Sequence, residues 1–359
     1  MPSGLDGVVA AETVLSEVDG AAGRLIIRGR PLEELAGHTT LAEAAHLLFE
    51  GFFDDLPPTA ELGRDLGRSR IEVFEHVGAL DATLLRRTPT EAVRALMARI
   101  EDGDDLATAL RLLAAPAVFA PAMLRARRGL APIPPDPQSA HAADILRMIN
   151  GAAASPAQTA ALDAYLVTVC DHGLNASTFA ARVVASTGAG LTSAALAGLS
   201  ALKGPLHGGA PGPVIEMLDA IGDIGGARAW LEAALERGDR LMGFGHRIYR
   251  VRDPRADALK RAVGALEPNS GRLAYAEAVE RAALDILQDR KPGRSLQTNV
   301  EFYTALLLEA LTFPPDAFTA VFAMGRMMGW IAHAREQAAS GRLIRPQSLY
   351  VGPAPQRAA

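Results

Sequence analysis

Cysteine is nearly absent from this chain: 359 residues carry one, Cys170. That excludes an internal disulfide and a multi-cysteine metal site. Its place in the apolar run AYLVTVC marks it as a small core residue. Aromatic residues are also scarce, 5% of the chain against 49% hydrophobic overall. The core must then be built mainly from Ala, Leu, Val and Ile, a composition that favours close-packed helices over sheets. A basic excess is lacking too: the formal net charge is −5. There is no global attraction toward nucleic acid, so any anionic ligand must be held by local arginines. No stretch reaches about 18 apolar residues without polar or glycine interruption, so no membrane span is expected. The opening MPSGLDGVVAAET has no basic segment followed by an apolar core, and no signal peptide is read there. These absences lead to the expectation of a cytoplasmic globular protein.

Several chemical signatures are missing as well. There is no HxxxH or HExxH pair for a metal, no GxGxxG after a strand, no GxxxxGK[ST] and no GxSxG elbow. No metal and no cofactor are expected.

The length allows one large domain, or a large and a small one. Leu25–Arg28, between Gly23 and Gly29, reads as one arm of a small hairpin. After it the patterns are helical. Thr40 with Glu43 forms a capping box ahead of the stripe Leu41, Ala44, Ala45 and Leu48, and similar capped segments recur to about residue 128. APIPPDPQSA at 131–140 reads as an exposed loop within a domain. Helical segments resume through SAALAGLSALKG, which Gly204 and Pro205 terminate. Pro213 is read as opening the helix VIEMLDAIG, and further helices fit ARAWLEAALERG, DALKRAVGAL and YAEAVERAALDILQ. On the last helix, beginning at Pro-Pro-Asp, Arg326, Trp330, His333 and Gln337 share roughly one face, with Met324, Met327, Met328 and Ile331 on the apolar side.

Three of the eight histidines stand in glycine-rich or turn-rich settings: His172 in CDHGLNAST, His207 in KGPLHGGAPG and His246 in MGFGHRIYRVRDPR. The other five, His38, His46, His76, His141 and His333, lie in helical or surface contexts. Glycines beside a histidine let a ligand approach the backbone closely. The last motif gathers Arg247, Arg250, Arg252 and Arg255. Such a run is commonly a solvated surface. In an acidic protein, beside a glycine-flanked histidine, it suits an anionic ligand, because guanidinium forks match carboxylate and phosphate geometry.

Taken in order, GRLIIRGRPLEELA, DHGLNASTFAARVVAST, LKGPLHGGA, MGFGHRIYRVRDPRA, TNVEFYTALLLEAL and RPQSLYVGP resemble the citrate synthase family over nearly the whole chain, in its compact bacterial and archaeal form. The resemblance implies an all-α, multi-helix subunit with at most a small N-terminal hairpin. It also implies a homodimer, with a large domain from 1–208 completed by 313–359 and a small domain at 209–312. The implied reaction is that of an acyltransferase of the tricarboxylic acid cycle: acetyl-CoA condenses with oxaloacetate and the thioester is hydrolysed to citrate and CoA, with acetyl-CoA as substrate rather than cofactor.

His207 then matches the donor to the thioester oxygen, and His246 the group that polarises the oxaloacetate carbonyl. His172, Arg255 and Arg326 match residues holding oxaloacetate, and Arg345 matches the arginine that reaches the neighbouring subunit's site. Arg250 matches a residue near CoA phosphate, and Lys291 and Arg294 are further CoA candidates. The base of the family is usually the aspartate of Asn-Val-Asp; here the motif reads Asn299-Val300-Glu301. The extra methylene extends the carboxylate by about 1.5 Å, and Glu301 is read as the working base. HGGAPGP also departs from the commoner HGGANE, and Pro211 removes a backbone donor. Two alternatives accompany this reading: a 2-methylcitrate synthase using propionyl-CoA, and a weakly active or non-catalytic paralogue that binds oxaloacetate or acyl-CoA.

Overall fold

The computed structural model describes residue 5 and residues 7–208, 211–246, 248–266, 271–291 and 296–353. Near the N-terminus β1 (Ser16–Asp19), β2 (Arg24–Ile27) and β3 (Arg30–Pro31) form an antiparallel sheet in the order β1-β2-β3. Its register pairs Ser16 with Ile27 and Ile26 with Pro31. The expected strand ending at Arg28 stops one residue earlier. Arg28 and Gly29 both have positive φ, 50° and 78°, the backbone that a two-residue hairpin turn needs.

The rest is helical. The first seven helices in chain order are α1 (Leu32–Leu35), α2 (Leu41–Phe49), α3 (Thr59–Phe74), α4 (Ala82–Leu85), α5 (Pro89–Met97), α6 (Leu106–Arg127) and α7 (His141–Asn150). Then come α8 (Pro156–Thr168), α9 (Ala176–Ala185), α10 (Leu191–Leu202), α11 (Pro211–Ile221), α12 (Ile224–Glu236), α13 (Pro254–Leu266), α14 (Gly271–Arg290), α15 (Val300–Ala310) and α16 (Phe318–Ser340). Side chains fix many of the starts. Thr40 with Glu43, Thr88 with Glu91 and Ser155 with Gln158 form capping boxes, and Pro89 and Pro156 open their helices. α11 begins at Pro211 rather than Pro213.

α6 is the centre, buried almost all round and packed on α3, α5, α7 and α16. Its length and composition would suffice to cross a membrane, but its apolar surface is satisfied inside the protein. α16 is buried on both sides: Arg326, Trp330, His333 and Gln337 are as enclosed as Met324, Met327, Met328 and Ile331. A Cβ at Gly198 of α10 would lie 2.7 Å from the Trp330 ring, so glycine there is what allows α16 to press close. His141 and His333, read as helical or surface residues, are both buried. His141 faces Arg70, which is ion-paired with Asp144 at 2.8 Å.

Candidate active site

The motifs containing His246 and Glu301 lie 55 residues apart in sequence, and the backbone zips them together. Gly245 N donates to Gln297 O at 2.7 Å, Asn299 N donates to Gly243 O at 2.9 Å, and Phe244 bridges Thr298. Asn299 clasps the joint from the side: its Nδ2 donates to Gly245 O at 2.8 Å while its Oδ1 caps α15 by accepting from Glu301 N. Asp253 makes a second clasp, accepting from Val300 N at 3.1 Å and from Arg255 Nε and Nη2 at 3.0 and 2.8 Å. Gly243 has φ +84°, and a Cβ there would sit 2.8 Å from the Phe302 ring. The glycines of MGFGH are therefore needed to seat this loop on the first turn of α15, beside Glu301.

Within the loop, the tautomer of His246 is set by its own backbone. Ile248 N and Tyr249 N both donate to His246 Nδ1, at 3.0 and 3.1 Å. A neutral imidazole accepting at Nδ1 carries its proton on Nε2. That Nε2 lies 3.1 Å from Arg255 Nη2, so two donors converge where one ligand oxygen could accept from both. Burial and the Arg255 charge, against the opposing pull of Asp253, bring His246 down to about 4, so the ring is neutral at pH 7.

His207 lies in the turn after α10, with Nε2 2.8 Å from Ser177 Oγ. Ser177 Oγ also accepts from Trp330 Nε1 at 3.2 Å, the indole being only a donor. Asn175 Oδ1, the other neighbour of that hydroxyl, already accepts from Ser177 N and Thr178 N. Ser177 Oγ has two acceptors at 2.8 Å, Asn175 Oδ1 and His207 Nε2; when its proton goes to His207, Nδ1–H is the donor the imidazole presents. Burial, helped by the charges of Arg326 and Arg255, lowers His207 to about 4.

His172 completes the imidazole cluster. Its ring centroid is 5.6 Å from that of His246, and its Nε2 is 3.1 Å from Tyr249 Oη. Burial, then Arg255, Arg326, His246 and His207, hold it well below the usual histidine range. The neighbouring Asp171 is pinned by His333 at 3.2 Å and by Ser16 Oγ, which also accepts from Gly173 N at 2.9 Å. The turn after β1 supports the other side, where Arg250 N donates to Gly20 O at 2.8 Å. The small sheet therefore buttresses both the His172 loop and the His246 loop.

Two guanidiniums enter the cluster differently. Arg255 is neutralised by the bidentate Asp253. Arg326 is buried, donates Nε–H to Val169 O at 2.6 Å and has no ion-pair partner among the described residues. Burial, against the pull of Asp171 and reinforced by Arg255, drags it down to about 10. Arginine keeps its proton in proteins, so this measures the cost of a charge that a bound anion would offset. Glu301 is the counterpart. Burial raises its carboxyl to about 7, although Arg255 and Arg240 pull the other way. That is close to the ideal value for a general base at neutral pH.

Beside His246 a cavity of about 540 Å³ opens, lined among others by Arg240, Leu241, Phe244, Lys291 and Leu296. Neutral imidazole donors, an uncompensated guanidinium, a carboxyl poised near 7 and a half-basic cavity can together bind a dicarboxylate, polarise two oxygens and move one proton.

Six sequence-predicted residues, His172, His207, His246, Arg255, Glu301 and Arg326, meet here, and Lys291 lines the cavity. Arg250 is exposed. Arg345 is exposed in the segment after α16 and makes no hydrogen bond or ion pair among the described residues. Arg294 and Arg247 lie outside the described residues. The arginine run does not act as a unit: Arg252 is spent internally on Asp257 and Glu280. Sequence reading missed the Ser177–Trp330 pair, Tyr249, Asp253 and Arg240. The first was within reach, since DHGLNAST contains Ser177 and the shared face of the last helix contains Trp330.

The family model "Citrate synthase, C-terminal domain" matches residues 4–347. The chain is 40% identical to "Putative citrate synthase 2" of Mycobacterium tuberculosis, over 98% of this chain and 93% of that protein. It is 36% identical to a 2-methylcitrate synthase of the same species, over 97% and 90%. The crystal structure of citrate synthase from Thermotoga maritima superposes with a TM-score of 0.86 at 32% identity, covering 99% of this chain and 97% of the other.

Proposed function

The chain belongs to the citrate synthase family, and on that premise we propose that it condenses acetyl-CoA with oxaloacetate and hydrolyses the resulting thioester to citrate and CoA. The observation that carries this reading is the meeting of two neutral imidazole donors with a carboxyl raised to about 7. Glu301 removes a proton from the acetyl methyl group. His207 Nδ1–H donates to the thioester oxygen, where negative charge develops. The enol carbon attacks the oxaloacetate carbonyl, whose oxygen accepts from His246 Nε2–H and Arg255 Nη2. A neutral imidazole is suited to such donation, since it does not surrender a full proton to the ligand. Water then cleaves the thioester. Arg326 and His172 hold the oxaloacetate carboxylates, and CoA, a substrate here, lies along the cavity with Arg240 and Lys291 and reaches Arg250.

Helices α11–α15 pack chiefly on one another, with α13 crossing to α8. This supports residues 209–312 as a small domain that closes on the large one and excludes water. Arg345 serves the other site of a homodimer. In support, Leu349, Tyr350 and Val351 of the same segment are 71, 74 and 87% exposed in the single chain, more apolar surface than an isolated extended arm would leave in water.

Acetyl is favoured over propionyl because Glu301, longer than aspartate by one methylene, takes room beside the acyl group. A free-thiol assay with oxaloacetate and acetyl-, propionyl- or butyryl-CoA tests this. Turnover is expected to be fastest with acetyl-CoA, with propionyl-CoA down by about ten-fold or more. A faster propionyl reaction would make the enzyme a 2-methylcitrate synthase. No thiol release with any donor, despite stabilisation by oxaloacetate, would leave a binding protein. Arg326→Gln is expected to raise KM for oxaloacetate by about 10- to 100-fold, the worth of a hydrogen bond to a charged group, with a smaller change in kcat. Unchanged KM would remove Arg326 from the oxaloacetate site.

A further inference from the structure

Tyr165 of α8 is a large buried side chain that the mechanism above leaves unused. The residue is 0% exposed, and its hydroxyl has no hydrogen-bond partner among the described residues. A buried polar group in that condition is uncommon and calls for an account. α8 packs against α13, α15 and α16, the helices that carry Arg255, Glu301 and Arg326. The two charged groups whose fields reach the hydroxyl are Arg326 and Glu301. Of these, only a carboxylate can accept the phenol's proton, because guanidinium has no acceptor atom. The Glu301 carboxylate, for its part, makes no hydrogen bond and no ion pair among the described residues.

We propose that Tyr165 is a positioning residue for Glu301: in the substrate complex its buried hydroxyl donates to the Glu301 carboxylate and holds it toward the reacting methyl group. The proposal rests on Glu301 being the base. It gives a physical reason for tolerating glutamate at that position. The extra methylene adds a rotatable bond, and a long carboxylate misplaced by about 1 Å can lose about 10²-fold in rate. A hydrogen bond from a rigid, fully buried ring removes that freedom. The other groups facing Glu301 are Arg255 of α13 and Arg240 and Asp253 of the preceding loops. α11, also packed on α15, brings Asp219, which Arg272 ties to Glu309 at the far end of α15.

Tyr165→Phe tests this, with pH profiles of kcat and kcat/KM, the oxaloacetate KM and thermal melting. The profile of kcat/KM reports the free enzyme, in which the hydroxyl has no partner, and that of kcat reports the complex. Losing a hydrogen bond to the charged form raises the base. The acidic limb of kcat is therefore expected to move up by about one pH unit, with kcat at pH 7 down about ten-fold. The limb of kcat/KM and the oxaloacetate KM should stay near wild type, and the melting temperature at or above it, because the variant removes an unpaired buried hydroxyl. A kcat profile superimposable on wild type overturns the proposal. So does a lowered melting temperature with unmoved limbs, which would make the hydroxyl structural, or a raised oxaloacetate KM with an unmoved kcat limb, which would assign it to the substrate. Glu301→Gln measured alongside separates the two levels. If that variant turns over normally, the base assignment falls and the tyrosine's role with it. If it is inactive while Tyr165→Phe leaves the kcat limb in place, only the tyrosine's role falls.

Discussion

Glu301→Gln is expected to lower kcat by about 10²–10⁴, the span of a positioned general base, while oxaloacetate affinity stays nearly unchanged. The amide keeps the shape and the volume, so packing at the first turn of α15 is preserved and only proton abstraction is lost. A second consequence follows from the protonation equilibrium. The carboxyl titrates near 7 in the folded protein, above its ordinary 4.5. Between those values the folded state binds more protons than the unfolded one, so this group's contribution to stability is present at low pH and lost as pH rises through 7. The charged carboxylate therefore costs the fold about 3 kcal/mol at pH 8. Glu301→Gln should melt higher than wild type at pH 8 and almost equally at pH 5. An inactive variant with this pH-dependent gain is the signature of a buried, functional acid. Normal turnover, or a gain of stability that is the same at both pH values, would remove Glu301 from the role.

His207→Ala is expected to reduce kcat by about 10²–10³, the usual loss of one donor to a developing oxyanion. Oxaloacetate binding, measured by calorimetry, should change far less, because the bond to the thioester oxygen strengthens only as the enolate forms. Equal losses in kcat and affinity would make the histidine architectural. The side chain also has an acid signature. Its folded value is about 4 against an ordinary 6.5, so the unfolded chain takes up the proton first and His207 costs stability as pH falls from 6.5 towards 4. The variant should lose part of the wild type's acid sensitivity in that window, read by melting temperature at pH 7 and pH 5.

Much of this site was legible before any coordinates. His172, His207 and His246 stand out because glycines and turns surround them, and glycine there has a local cause, the positive φ and close approach seen at Gly243. The capping box at Thr40 marked a helix start because hydroxyl and carboxylate satisfy nearby backbone groups. The arginine run misled for the opposite reason. Arg252 and Arg255 are neighbours in sequence and identical in chemistry, yet one is spent on Glu280 and the other faces His246. Which of them meets a ligand depends on which acid α14 brings up, and no local pattern encodes that. Ser177 and Trp330 were visible as residues but not as partners, since 153 positions separate them.

Periodicity, caps and turn residues thus marked the helices and the three glycine-framed histidines, because those signals act over a few residues of chain, while Glu301, Arg255 and Arg326 were named by the family resemblance. Protonation was decided elsewhere. Whether a histidine is neutral, a glutamate carboxyl is raised to about 7 or an arginine is left without a counterion depends on how much water the fold removes and which charges it brings within a few ångströms. Both are properties of helices packed together, α8, α13, α15 and α16 above all, and only the tertiary structure supplies them.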